Sequence, residues 1–288
     1  MMIAILAVTG GALLADWLQP AMGWMPLALA LAAATLIAAV GLADDIYTIE
    51  IIPRLLFQIL VAALAVASLP ESTWAITALP WWLERVTLAV ALVWFINLTN
   101  FMDGLDWMTV SEAVPITAAI AILGPAAGLP AEAIVTALAL CGALIGFAPF
   151  NRPTAKLFLG DVGSLAIGVL IGWLLLLLAG NGHIAAALLL PLYYLADATV
   201  TLVRRTHRGE RFWEAHRDHF YQRATAAGLS VGTVLGRIFA TNLALAALAG
   251  ATIWFPSPVV EMICLALGSA LVAALLRGFA RGRQASLA

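Results

Sequence analysis

Charge is scarce in this chain: Asp, Glu, Lys and Arg make up 10% of its 288 residues, and 64% are hydrophobic. A soluble domain is usually about one quarter charged. Too little polar side chain is present to cover a water-facing surface, so the composition excludes an ordinary globular protein and makes lipid the main solvent. Cysteine is nearly absent. Cys141 and Cys264 lie in apolar runs and read as small buried hydrophobes, not as a disulfide or metal pair. A net charge of −2 gives no reason to expect nucleic acid, because the positive charge sits in loops between apolar spans. The N-terminus lacks a positive n-region and a small-residue cleavage site, so no cleaved signal peptide is expected.

Long apolar runs are what the chain has in abundance. A bilayer-crossing helix needs roughly 20 apolar residues. Candidate spans are Met2–Trp17, Pro26–Leu42, Leu55–Leu69, Leu83–Ile96, Val110–Leu123, Ala133–Ala148, Leu165–Leu178, Ile184–Val203, Leu235–Phe255 and Val259–Leu276. Gly, Pro and Asn mark the breaks, as in Gly180-Asn181-Gly182 and Pro256-Ser257-Pro258. Pro80-Trp81-Trp82 suits an interfacial anchor. The expected fold is all-α: one integral-membrane domain over residues 1–288, a polytopic bundle of about ten transmembrane helices with its active-site loops in the cytoplasm.

Alternating these spans sorts the loops into two sets. One holds Arg54, Arg152, Lys156, Arg204, Arg205, Arg208, Arg211, Arg217, Arg223 and the tail Arg277, Arg281 and Arg283, with Arg237 just inside the next span. The other holds Arg85 alone, so the first set is assigned to the cytoplasm. Asp16, Glu71, Glu84, Glu132 and Glu261 fall on the opposite side and read as solvated loop acids.

Polar clusters interrupt the apolar pattern on the basic side. Asp44 and Asp45 end the second span. Adjacent carboxylates repel unless a cation or hydrogen-bond donors hold them, and Arg54 is near enough in sequence to help. Asn97, Asn100 and Asp103 recur every third residue in NLTNFMDGLD and spread over about 120° of one helix side, with Gly104 able to turn the chain and re-aim Asp106. Such groups suit a hydrated metal, a nucleotide or a sugar; interhelical hydrogen bonding is the competing reading. In FLGDVGS, Asp161 stands between glycines that allow close backbone approach, ahead of a helix start that offers amide hydrogens to a phosphate. Lys156 lies just upstream, and a plain helix cap is the alternative for Asp161. The basic segment HRDHFYQR carries His216, Arg217, His219, Tyr221 and Arg223. These can grip a phosphate or a sugar diphosphate, whereas headgroup contact accounts for the arginines better than for the histidines. Asp197, at membrane depth, is either a functional acid or the partner of a neighbouring polar helix.

Taken in order, these clusters resemble the polyprenyl-phosphate N-acetylhexosamine-1-phosphate transferases of glycosyl transferase family 4. That pattern is an Asp-Asp pair, an N-x-x-N-x-x-D-G-x-D run, a G-D-x-G-S run and a His-rich loop. HRDHFYQR looks more like the O-antigen-initiating branch than the muramoyl-pentapeptide branch. The resemblance implies transfer of a sugar-1-phosphate from a UDP-N-acetyl sugar to a polyprenyl phosphate such as undecaprenyl phosphate, with release of UMP. It implies a Mg2+ cofactor, with Mn2+ as a substitute, and a bacterial plasma-membrane location with a cytoplasmic site; homodimers occur in the family. By the same resemblance Asp161 and Asp103 are metal ligands, and Asp44, Asp45, Asp103 and Asp106 are catalytic. Asn97, Asn100, Lys156, His216, Arg217, His219 and Arg223 bind substrate.

Two departures stand out. Trp107 occupies the place of a second glycine. The family's first transmembrane helix is also expected to be missing ahead of Met1. The rival classes are a transporter or flippase, which calls for polar groups at the bilayer midplane and an internal repeat, and a catalytically inactive, truncated paralogue.

Overall fold

The computed structural model describes residues 25–47, 49–70, 73–211 and 216–285. The Met2–Trp17 span, Asp16 and Glu71 lie outside the described residues. Within them, every regular element is helical. In chain order these are α1 (Met25–Tyr47), α2 (Ile51–Ala67), α3 (Trp81–Met102), α4 (Met108–Leu123), α5 (Ala131–Phe147), α6 (Gly160–Gly180), α7 (Ile184–Leu189), α8 (Leu192–His207), α9 (Phe220–Ala226), α10 (Val231–Trp254) and α11 (Pro258–Ala285).

Five of these are long and apolar enough to cross a membrane: α1, α3, α6, α10 and α11. α2, α4 and α5 are shorter apolar helices. The expected count of about ten spans is therefore not met by length among the described residues. The expected Ile184–Val203 span is two helices, α7 and α8, parted at Leu190 and Pro191. Proline has no amide hydrogen to continue a helical ladder, so α8 restarts with the Leu195 amide bonded to the Pro191 carbonyl.

α6 is the axis of the bundle, and nearly all its residues from Gly163 to Ala179 are buried. Apolar side chains gain little from leaving lipid for protein, so membrane helices associate through close packing of small residues. α1 does this with Ala30, Ala34, Ala38 and Gly41, all buried, along one stripe. α1 and α3 make the most extensive contacts with α6. The Trp173 indole of α6 donates to Ser68 Oγ at 2.9 Å, tying α6 to the end of α2.

The helix directions put Asp44-Asp45, Arg54, the 97–106 run, Gly160-Asp161 and the 216–223 loop at one end of the bundle. At the other end the reading of Glu84 as a solvated loop acid is corrected. Glu84 is fully buried, and its Oε1 accepts from the amides of Ala75 and Ile76 at 2.7 and 3.4 Å. Its neighbour Arg85 donates to the Pro70 and Thr73 carbonyls. An acid and a base side by side can fold the 73–76 segment back over the start of α3, something loop composition does not reveal.

Candidate active site

The centre of the site is the start of α6. Asp161 accepts a hydrogen bond from Asn100 Nδ2 at 2.7 Å, and the same amide donates to Ser164 Oγ at 2.9 Å. Asp45, at the end of α1, accepts from the amides of Asp161 at 3.1 Å and Val162 at 3.4 Å, so it caps a helix more than a hundred residues away. A carboxylate at a helix N-terminus pairs with unsatisfied amides and the positive end of the dipole. Gly160 makes this approach possible: its φ is +61°, and a Cβ there would lie 2.5 Å from Asp45 Oδ2. Asp44 faces the other way. Its Oδ2 accepts from Arg54 Nη1 at 2.8 Å and its Oδ1 from the Ile49 amide at 2.6 Å. Arg54 Nη1 also lies 3.8 Å from Asp161 Oδ2. Asp44, Asp45, Arg54, Asn100, Asp161 and Ser164 thus form one contiguous group.

The rest of the 97–106 run surrounds it. Asn97 turns to α2 and donates to Gln58 Oε1 at 2.8 Å, a partner the sequence reading missed. Asp103, just past α3, accepts from Thr109 Oγ1 at 2.5 Å. Asp106 accepts from the Ala155 amide at 2.9 Å and so holds the loop ahead of α6. Trp107 sits at φ +65°, a conformation that favours glycine. Its amide donates to Asn151 Oδ1 at 2.8 Å and its indole to the Ala148 carbonyl at 2.6 Å. These bonds offset the strain and tie the same loop down.

The third wall is the basic loop with α9. The His216 and His219 rings lie 4.9 Å apart, and His219 stacks on Tyr221 at 5.7 Å. Tyr221 Oη donates to the Phe101 carbonyl at 3.5 Å, which seats α9 on the end of α3. Burial, then the neighbouring His219 and Arg205, holds the His216 imidazole below its ordinary range. Lys156 and Arg217 are exposed and Arg223 is partly exposed. Among the described residues, no hydrogen bond or ion pair joins these side chains to the carboxylates.

Glu112 was overlooked. It is buried in α4 and accepts from Asn242 Nδ2 at 2.6 Å and from the Tyr194 amide at 3.4 Å. The cost of an acid inside an apolar run, the rule that flagged Asp197, flags it equally. Glu112 and Asp197 are thus both buried acids inside apolar helices.

Burial, with the charges of Asp161 and Asp106, pushes the Asp103 carboxyl up to about 6, against the pull of Thr109. The unfolded chain loses this proton near 3.8, the folded chain only near 6. The contribution is fully present below the lower value and lost as pH rises through the upper one. Chelator-treated protein in detergent is expected to lose melting temperature between pH 4 and 7, and Asp103→Asn to flatten that decline. Equal slopes in variant and wild type would reject the assignment.

Mg2+ prefers oxygen ligands and keeps waters and substrate phosphates in its shell, so it needs few protein groups. Among the described residues no three Asp, Glu, His or Cys side chains gather into a self-sufficient metal cage. Asp44 and Asp161 share one guanidinium, Arg54, while Asp45 meets only the amides of Asp161 and Val162, which leaves a surplus of negative charge that a divalent cation would offset. The carboxylate oxygens are of the kind Mg2+ takes in that open form.

Apolar helices with carboxylates, amides and imidazoles gathered at one end define a multi-pass membrane protein with a polar site at the bundle end. The chain belongs to glycosyl transferase family 4, whose sequence pattern matches residues 27–179. It is 27% identical over 241 residues to a probable undecaprenyl-phosphate N-acetylglucosaminyl 1-phosphate transferase of Bacillus subtilis, covering 77% of this chain and 65% of that protein. It is 28% identical over 275 residues to a decaprenyl-phosphate N-acetylglucosaminephosphotransferase of Mycolicibacterium smegmatis, covering 84% and 66%. A phospho-N-acetylmuramoyl-pentapeptide-transferase of Limosilactobacillus fermentum is 31% identical over 179 residues, covering 60% and 54%. The chain spans just under two thirds of the first two relatives and about half of the third.

Proposed function

We propose that this chain transfers an N-acetylhexosamine-1-phosphate from a UDP-sugar to a polyprenyl phosphate, starting a cell-envelope glycan such as O-antigen. The observation that carries the reading is the convergence of Asp44, Asp45, Arg54, Asn100 and Asp161 from four helices at one bundle end. Family membership and the named activities of the relatives add to it. N-acetylglucosamine is the first sugar to test, because the first two relatives are named for it.

In this scheme an oxygen of the lipid phosphate attacks the β-phosphorus of the UDP-sugar, the bond from that phosphorus to the bridging oxygen breaks, and UMP leaves with the electron pair. A phosphate monoester is largely ionised at neutral pH, so no strong base is required. The protein's work is positioning and charge neutralisation. Asp161 and Asp103 would hold a Mg2+ ion, which would supply charge neutralisation at the diphosphate. Asp44 orients the lipid phosphate through Arg54, and Asp45 and Asn100 keep Asp161 in place. Asp106 holds the loop at the nucleotide side. Asn97 supports that wall, and Lys156, His216, Arg217, His219 and Arg223 bind the nucleotide diphosphate and sugar. The lipid tail stays among the apolar helices. The charge bias of the loops supports a plasma-membrane enzyme whose site opens to the cytoplasm.

Purified protein in detergent, given UDP-N-acetylglucosamine, undecaprenyl phosphate and Mg2+, is expected to release UMP. Excess chelator should abolish release, and added Mg2+ or Mn2+ should restore it. No UMP from any UDP-N-acetyl sugar overturns the function, and full turnover in chelator overturns the metal.

A further inference from the structure

Asp197 lies in the second turn of α8, fully buried, and is surrounded by donors. Tyr193 Oη donates to its Oδ2 at 3.0 Å and Thr201 Oγ1 to its Oδ1 at 3.3 Å, from one turn before and one turn after. Two more partners come from across the chain: His219 Nδ1 at 3.2 Å and the Phe220 amide at 3.0 Å, both on Oδ1. Three of these four bonds fall on Oδ1 and one on Oδ2, and full burial closes the group to solvent and lipid headgroups.

The last two contacts fall where the basic loop ends and α9 begins. From there the path to the carboxylate site is short. Tyr221, the second residue of α9, stacks on His219, reaches the Phe101 carbonyl, and packs so closely on Gly104 that no Cβ would fit there. The same helix holds both ends of the loop: Arg205 pairs with Glu210 at 2.9 Å near its start and with Asp218 just before His219. The Arg204 guanidinium lies 4.7 Å above the Phe220 ring. α8 is thus a rail, with Asp197 as its deepest anchor.

We propose that Asp197 is a positioning residue that sets the start of α9 and the ring orientation of His219, and so places the His216–Arg223 loop for the nucleotide diphosphate. The carboxylate on Nδ1 fixes the orientation of the buried ring between His216 and Tyr221. The kinetic consequence rests on the function proposed above; the anchoring does not.

Hydrogen exchange on the full chain in detergent tests the anchoring without requiring activity. Asp197→Ala is expected to raise amide exchange across residues 216–226 at least tenfold and to leave peptides of α3 and α6 unchanged. Tyr193→Phe, which removes only a donor from α8 itself, should leave the segment protected. In the transfer assay Asp197→Ala should raise KM for the UDP-sugar at least tenfold while KM for polyprenyl phosphate stays within threefold. Asp197→Asn, which keeps an acceptor for His219 and Phe220, should recover most of that loss. Unchanged exchange at 216–226, or a KM rise shared equally by both substrates, overturns the proposal. Where alanine loosens the whole bundle, His219→Ala decides: faster exchange confined to the segment supports the anchor, and wild-type exchange refutes it. Absent turnover in the wild type with a loosened loop in the variant indicts the assigned reaction, not the anchor.

Discussion

Asp161→Asn is expected to reduce UMP release by at least about a thousandfold while the protein keeps its helical circular dichroism and most of its thermal stability. The asparagine side chain fits the same space. Its oxygen still accepts from Asn100, and its backbone amide still donates to Asp45, so the start of α6 has no reason to move. What disappears is the negative charge opposite Arg54 on the carboxylate that, among the described residues, touches both the Asn100 wall and the Asp44–Arg54 pair. If turnover depends on a cation balancing phosphate charge here, a neutral side chain cannot hold it. Wild-type-like turnover in a folded Asp161→Asn protein would remove Asp161 from the reaction altogether.

The second large effect concerns a residue with no chemistry of its own. Gly41→Ala is expected to lower stability by about 1–3 kcal/mol and activity by at least about a hundredfold. Gly41 is buried where α1 crosses the start of α6. A Cβ there would stand 2.6 Å from the carbonyl carbon and oxygen of Asp161 and from the amide nitrogen of Val162. These are backbone atoms, so no side chain can swing aside; one helix must shift. A shift of even a few tenths of an ångström pulls Asp161 away from Asn100 and Asp45 together. Gly142→Ala is the matched control. That glycine lies in α5 with nothing within 4 Å of an added Cβ, so alanine there should be neutral or slightly stabilising. Turnover in Gly41→Ala equal to that of the control would mean that the close crossing does not set the site.

Much of the site was legible because polar groups inside apolar sequence are costly and therefore conspicuous. Asp44, Asp45, Asn100, Asp103 and Asp161 could be picked out by that rule, and the alternation of spans puts them at one end. The same rule applied evenly would have found Glu112 and Asn242. Other features carried no such mark. Asp45 and Asp44 look equivalent in sequence, yet one caps α6 and the other pairs with Arg54, because adjacent residues on a helix end point about 100° apart. Gln58 reads as one polar residue in α2 until Asn97 is packed against it. Glu84 sits in a stretch that looks solvated, and only the fold of the 73–76 segment buries it. The break between α7 and α8 was signalled by Pro191, but the apolar residues on both sides of it read as one span.

Composition and local pattern alone determined that this chain is a helical membrane protein with its ionisable groups gathered at one end, since both properties follow from the cost of burying polar atoms in lipid, residue by residue. The order of the motifs was enough to point to the family. Which carboxylate faces which partner, how α8 holds the histidine loop, and why Gly41 must be glycine were decided only in three dimensions. Those relations join residues tens to more than a hundred positions apart, and they depend on how closely particular helices cross, a distance that no local pattern encodes.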